Sequence, residues 1–328
     1  FTLPFAIILY EFIFFKSTRK QKLLFLLPVL LALAIAPLAL MTTGKPLGDV
    51  LSSLDAQTRV QSALPRWDYL MTQLRVITTY IRLIFLPINQ NLDYDYPIYD
   101  SLFTPSVFLS FLFLSTLLGS AVYLIYRSRS SPSVLRVTAF GILWFFITLS
   151  VESSIIPIVD VIFEHRVYLP SAGAFLAITT AAWAGVNRME TKWPLAKRAF
   201  AAAAVLAAIT LLGATYARNS VWTDKAALWE DVANKGTKAS TYVSVGLAYA
   251  EKGEMNKAVE AYLKAISIDP KDASAYINLG LAYARGGLID EAIRANRMAV
   301  SLAPGKAEVH NNLGHLYYGA GRLDEALE

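Results

Sequence analysis

Apolar residues run through the first two thirds of the chain in long blocks broken by short polar connectors. Residues 23–43, 101–126, 168–186 and 199–216 each meet the length of about 20 mostly apolar residues that a bilayer-crossing helix needs. Residues 1–15 read as the end of a further span. Residues 137–151 are equally apolar but cover about 22 Å at 1.5 Å per residue, short of a hydrocarbon core of about 30 Å. Residues 66–87 differ: Gln73, Arg75 and Arg82 follow Trp67 and Tyr69, the pattern of an amphipathic helix lying in the interface. A tilted extra span is the competing reading. The polar remainder after residue 217 has no such block, and its apolar positions recur at helical spacing.

From residue 239 that spacing becomes a repeat. Gly246, Gly280 and Gly314 stand 34 apart, as do Tyr249, Tyr283 and Tyr317; Ala258, Ala292 and Ala326; and Gly253, Gly287 and Gly321. Pro270 and Pro304 close the first two units. Glycine and alanine let two antiparallel helices approach, tyrosine fills the groove between them, and proline ends the second helix. The period and residue pattern resemble the tetratricopeptide repeat. The units run 239–272, 273–306 and 307–328, the last truncated, with residues 218–238 as linker and capping helix. About three repeats are needed to bury the faces of such an array, and stacked repeats present an extended binding surface. The expected fold is therefore all-α: a multi-span helical bundle over 1–217, then a TPR α-solenoid. Phe1 opens inside an apolar run and Glu328 falls inside a repeat, so the sequence reads as an internal piece of a longer protein.

Composition sharpens this division. The chain is 55% hydrophobic and 17% charged, with a net charge of +5, against about 45–50% and 25% for soluble domains. Residues 1–217 hold 17 Lys and Arg against 11 Asp and Glu, and residues 218–328 hold 13 against 14. The surplus lies in three connectors: Lys16, Arg19, Lys20 and Lys22; Arg127, Arg129 and Arg136; Arg188, Lys192, Lys197 and Arg198. The positive-inside rule places these in the cytoplasm, leaving 44–100, 152–166 and everything after Arg218 on the other side. The basic charge is thus an orientation signal, and no nucleic-acid partner is expected. With no cysteine, disulfides and thiolate metal sites are excluded. Phosphate loops, dinucleotide fingerprints, nucleophile elbows and HExxH motifs are absent.

Two segments could carry chemistry. Residues 152–171, ESSIIPIVDVIFEHRVYLPS, place Glu152, Asp160, Glu164, His165 and Arg166 beside a short span, with Pro157 and the Ser153–Ser154 pair interrupting a helix. Ionisable residues at membrane depth point to function; the alternative is a polar loop reaching water. The guanidinium of Arg166 suits a lipid phosphate, Glu164 could orient it, and His165 reads more readily as structural. Residues 89–100, NQNLDYDYPIYD, alternate Asp93, Asp95 and Asp100 with tyrosines. They could support a sugar site or a divalent cation, or simply anchor the chain at the interface.

The string FEHRVYLPSAGAFLA after ESSIIP resembles the multi-span, TPR-bearing glycosyltransferase-like proteins, which include the transmembrane-and-TPR O-mannosyltransferases and their bacterial relatives. Glu164, Arg166, Tyr168, Leu169, Pro170, Ser171 and Gly173 carry the likeness, and TLPFAIILYE and the stretch from Tyr69 to Pro97 resemble other parts of the bacterial members. The resemblance implies the C-terminal half of a GT-C-type fold that transfers a sugar from a polyprenyl-phosphate-linked donor to a protein acceptor. Arg166, Glu164 and His165 would bind the donor's lipid phosphate, with Glu152, Asp93 and Asp95 in support. The catalytic acid of that class would lie upstream of Phe1. A bacterial inner membrane with the array in the periplasm is also implied. Two alternatives stand beside this reading: a non-catalytic membrane-anchored scaffold, and a polysaccharide polymerase or ligase. The expected partners are membrane lipid, the sugar donor and a protein or peptide bound by the array.

Overall fold

A computed structural model describes residues 2–15, 18, 20–22, 24–29, 31, 64–128, 133–150, 153, 157, 158, 160–189 and 193–327. Among these residues every regular element is helical. The expected block at 23–43, and Lys16, Arg19, Arg129, Glu152 and Lys192, lie partly or wholly outside them. Contacts divide the chain into two units: residues 1–90 with 96–209, and residues 91–95 with 210–328.

The first unit contains α1 (Thr2–Phe14), α2 (Arg66–Phe85), α3 (Pro105–Arg127), α4 (Ser133–Leu149), α5 (Tyr168–Met189) and the first half of α6 (Ala196–Val221). Helix α2 is amphipathic in the strict sense. Tyr69, Gln73, Val76, Tyr80 and Leu83 follow one another by three or four residues and are all buried, the stripe that a helix packed on one face requires. Pro65 precedes it, Asp68 lies in its first turn and Arg82 in its last, charges that suit the helix dipole. The segment after it folds back along α2: Tyr99 N donates to Thr72 Oγ1 at 2.9 Å, Tyr96 and Thr79 hydroxyls meet at 2.9 Å, and Trp67 Nε1 donates to Asp100 O at 3.1 Å.

Helices α4 and α5 form the tightest pair in this unit, and two glycines explain it. A Cβ built on Gly141 would lie 2.5 Å from the carbonyl oxygen of Gly173, and one on Gly173 would lie 2.5 Å from that of Gly141. Only hydrogen fits between the backbones, the small-residue crossing expected of helices without a hydrophobic drive to associate. Thr138 and Thr180 hydroxyls meet across it at 2.9 Å, and Trp144 Nε1 donates to Leu169 O at 3.1 Å. These pairs make the helices antiparallel. Rings of Tyr10, Phe14, Phe140 and Trp144 join α1 to α4, with centroids 5.4–6.1 Å apart.

Three helices are long and apolar enough to cross a membrane: Pro105–Arg127, Glu164–Met189 and Ala196–Val221, the last with none of its apolar window buried. Most of the residues in their apolar windows are not buried. Residues 134–149 and 2–14 are apolar but shorter.

The second unit begins in the latter half of α6 and continues through α7 (Lys225–Ala233), α8 (Ala239–Glu251), α9 (Met255–Ile268), α10 (Ala273–Arg285), α11 (Ile289–Leu302), α12 (Ala307–Gly319) and α13 (Leu323–Leu327). Helices α8–α9, α10–α11 and α12–α13 are the paired helices of successive repeats. Each turn between partners uses a glycine at positive φ, Gly253 at 80°, Gly287 at 77° and Gly321 at 73°, a conformation that costs other residues about 1–2 kcal/mol. The glycines at 246 and 280 answer a different need. Their Cβ atoms would fall 2.3 Å from the Tyr262 ring and 2.0 Å from Asn296 Nδ2. Ala258, Ala265, Ala275, Ala292 and Ala299 are wholly buried, so helices close to contact distance along the array. Pro270 and Pro304 sit two residues beyond the ends of α9 and α11.

Helix α7 caps the array. Trp229 and Ala233 pack with Val245, Ala261, Tyr242 and Tyr249. Asp224 caps α7 by accepting from Ala226 N at 3.1 Å, and it pairs with Lys252 at 2.5 Å while Lys225 pairs with Glu251 at 2.7 Å. Arg218, near the end of α6, pairs with Asp231 at 2.5 Å.

Candidate functional site

The Glu164–Val167 stretch is one 3₁₀ turn that runs directly into α5. Its three ionisable side chains go to different places. Arg166 is only 8% exposed. Its guanidinium lies 5.0 Å over the Phe163 ring, and Nη1 is 3.5 Å from Val161 O. Tyr80 of α2 joins this group: its phenol accepts from Phe163 N at 2.9 Å and also bonds to Arg166. Burial pushes the Tyr80 phenol up to about 12 even though Phe163 N and Arg166 favour its ionised form, so it stays a neutral hydrogen-bonding group. Gln73, one face-repeat earlier on α2, donates to Val161 O at 2.9 Å, while its own Oε1 is buried without a hydrogen bond. His165 is exposed, its ring 5.0 Å from that of Phe163. Glu164 is half-buried and Asp160 exposed. Glu152 lies outside the described residues.

The structure therefore brings Arg166 together with Gln73, read from the sequence only as a polar mark of an amphipathic helix, and Tyr80, which the sequence did not single out. Both lie on the buried face of α2, seven residues apart, and a polar pair on such a face was the available signal. Chemically the group holds a permanent cation against a ring face, a phenol and a backbone carbonyl at the start of a candidate span. That is an arrangement that fixes the guanidinium and the 161–167 turn together.

Asp93 and Asp95 are placed with the array. Asp93 pairs with Lys238 Nζ at 2.5 Å, which also donates to Tyr94 O at 2.8 Å. Thr237 Oγ1 donates to Asp95 Oδ2 at 3.1 Å. Residues 91–95 are thus clasped to the segment entering α8, and Asp93-x-Asp95 faces an ammonium and a hydroxyl. Among the described residues no group of three His, Asp or Glu side chains is positioned to hold a metal ion.

On the array, the repeated signature residues do structural work. Gly246, Gly280, Ala258 and Ala292 are buried at helix contacts, and Tyr249, Tyr283 and Tyr317 fill the grooves beside them. Tyr249 OH bonds to Glu230 of α7, and that bond raises its pKa; burial carries Tyr262 up to about 12. At Asp231 burial works against ionisation, but hydrogen bonds from Lys235 and Arg218 outweigh it and hold the carboxyl below its ordinary value. Asp224 is lowered chiefly by Lys252. What remains outside is an apolar row. Leu247 and Leu281, 34 residues apart on the first helices of two repeats, are 43% and 45% exposed, and His315 is exposed at the next equivalent position. His310, Asn311, His315 and Tyr318 line an open depression of about 640 Å³ with Leu323 and Leu327.

Comparison with known proteins agrees with the repeat geometry. A family model described as a TPR repeat matches residues 246–287, and one described as a tetratricopeptide repeat matches residues 273–306. No curated protein matches the chain. Similar solved structures include two of MamA, at 26% and 28% identity, each covering 48% of this chain and 87% and 76% of the other, with a TM-score of 0.31. A third is YrrB, described as a TPR protein with an unusual peptide-binding site, at 19% identity over 47% of this chain and 78% of the other, with a TM-score of 0.30. The two family models together cover residues 246–306, which are tetratricopeptide repeats.

Proposed function

We propose that this chain is a membrane-anchored TPR scaffold. In this reading residues 1–217 form the membrane part, 218–238 the connection and 239–328 an array that binds a protein or peptide. The carrying observation is the row of Leu247 and Leu281. At one repeat's spacing, large apolar side chains stay exposed, while the alanines on the packed faces are fully covered. Solenoids use the exposed faces of their repeats for partners, and these two leucines are what a partner would meet there. A photo-reactive amino acid placed at 247 or 281 in cells is expected to give one discrete protein adduct, absent when it is placed at Lys271 in a turn. No adduct from 247 and 281, or the same adduct from all three positions, overturns the reading.

A narrower reading adds chemistry: transfer of a sugar from a polyprenyl-phosphate-linked donor to an acceptor held by the array, on the extracytoplasmic side. The observation favouring it is the Glu164–His165–Arg166 turn at the head of a candidate span, together with the family resemblance of the residues that follow. Arg166 would meet the donor phosphate, the role the resemblance gives it. Periplasmic orientation in a bacterial inner membrane belongs to the same reading. Wild-type sugar transfer by full-length Arg166→Ala would refute the role given to Arg166. A pure scaffold tolerates that change and fails only when the repeats are removed.

A further inference from the structure

Helices α2 to α5 line a crevice of about 180 Å³, partly open to the outside. Ile81, Phe85, Phe113, Leu117, Phe145 and Ala174 are among its walls, and every lining side chain is apolar. Its depth follows from the helices themselves. Phe113 and Leu117 precede Arg127 on α3, Phe145 follows Arg136 on α4, and Ala174 precedes Arg188 on α5. The separations of nine to fourteen residues correspond to about 14–21 Å along a helix. Since α4 and α5 are antiparallel and α3 leads into α4, these three arginines stand at one end of the helices. The crevice thus begins about half a hydrocarbon core, roughly 15 Å, from a basic level.

Resting on the membrane reading above, we infer that the crevice holds an acyl chain of an anionic phospholipid whose phosphate sits at the level of Arg127, Arg136 and Arg188. Water has no hydrogen-bonding partner on such a wall. An extended peptide segment would bring unsatisfied backbone groups to mid-membrane depth. An alkyl chain restores the dispersion contacts that an empty wall lacks. Guanidinium groups at one leaflet's chain length complement a phosphate charge.

The test uses the full chain, purified in detergent and mixed with an equimolar phosphatidylglycerol bearing a diazirine near the methyl end of one chain. After irradiation, peptides covering 113–117, 142–145 and 174–178 are expected to carry severalfold more label than those from α6, whose apolar window is wholly unburied. Ala174→Phe and, from the facing helix, Leu117→Trp fill the space; each is expected to remove the crevice label and leave that on α6, which also reports that the helices remain embedded. A phosphatidylcholine probe with the same chain is expected to label the crevice severalfold less. Even labelling of crevice and α6, or crevice label that survives both filling variants, overturns the site. Equal labelling by the two head groups overturns the anionic assignment. Release of the chain from membranes by a carbonate wash overturns the membrane reading itself, an outcome distinct from even labelling of a wash-resistant chain.

Discussion

Substituting alanine at the three equivalent glycines 246, 280 and 314 separates a steric requirement from a sequence habit. In a helix interior, Gly→Ala by itself stabilises by about 0.5–1 kcal/mol, because glycine loses more backbone freedom on folding. At Gly246 the new methyl would lie 2.3–2.7 Å from three atoms of the Tyr262 ring. That ring is 1% exposed and has nowhere to move, so overpacking of about 1–3 kcal/mol applies. The clash exceeds the propensity gain, and the net change is a loss of up to about 2 kcal/mol. At Gly280 the methyl would meet Asn296 Nδ2 at 2.0 Å and disturb its bond to Ala292 O, so the sign is the same. At Gly314 the nearest atom is Ala326 O at 3.6 Å, an ordinary contact. There the propensity gain is expected to survive. Hydrogen exchange of the full chain, read by mass spectrometry over 239–319, measures each local opening, with about 1.4 kcal/mol per tenfold change. Gly246→Ala should speed exchange in α8 and α9 by about tenfold, and Gly314→Ala should slow it in α12 by about two- to fivefold. Equal changes at all three positions would refute the close-contact explanation of the glycine column.

Asn296→Leu keeps the branching and heavy-atom count beside Gly280 and removes a buried Oδ1 that has no hydrogen bond. Since an unpaired buried acceptor costs about 1–3 kcal/mol, exchange in α10 and α11 is expected to slow; faster exchange would show that the amide is better satisfied than its contacts indicate. Asp224 and Asp231 are both held below the ordinary carboxyl value of 3.8. Their contribution is therefore complete above that value and lost as pH falls through the lower folded values. Acid titration of tryptophan emission should show α7, with Trp229, loosening only below about pH 4, and Asp224→Asn should shrink that transition. Lys238→Ala removes the partner of Asp93 and one donor to Tyr94 O. The pair is partly exposed, so the expected cost is about 1 kcal/mol or less, and limited proteolysis should cut 91–95 severalfold faster without a change in α10–α11 exchange.

The array was legible in the sequence because its requirements are local and recur. A positive-φ turn favours glycine, and Gly253, Gly287 and Gly321 repeat at 34 for that reason. The amphipathic face of α2 was legible for a similar reason, since burial of one stripe imposes a helical period. The contacts around Arg166 had no such signature. Gln73 and Val161 are 88 residues apart and Tyr80 and Phe163 are 83 apart, so no short pattern announces them. Likewise Asp93-x-Asp95 reads as a possible cation or sugar site until Lys238, 145 residues from Asp93, supplies the charge it faces.

A repeat also hides its own departures. Asn296 occupies the position of Tyr262 one repeat later, and column matching registers this only as a mismatch. In the structure it changes what the column does. Gly246 abuts a ring that has a single apolar task, whereas Gly280 abuts an amide that bonds Ala292 O and leaves its other end unpaired. The same glycine therefore serves hydrophobic packing in one repeat and a buried polar contact in the next. If polar packing makes the second repeat the less stable one, then α10 and α11 should open before α8 and α9 in hydrogen exchange, and Asn296→Tyr combined with the native Gly280 should reverse the order. An unchanged order would mean that helix–helix alanine contacts, shared by both repeats, decide stability and that the aromatic column is dispensable.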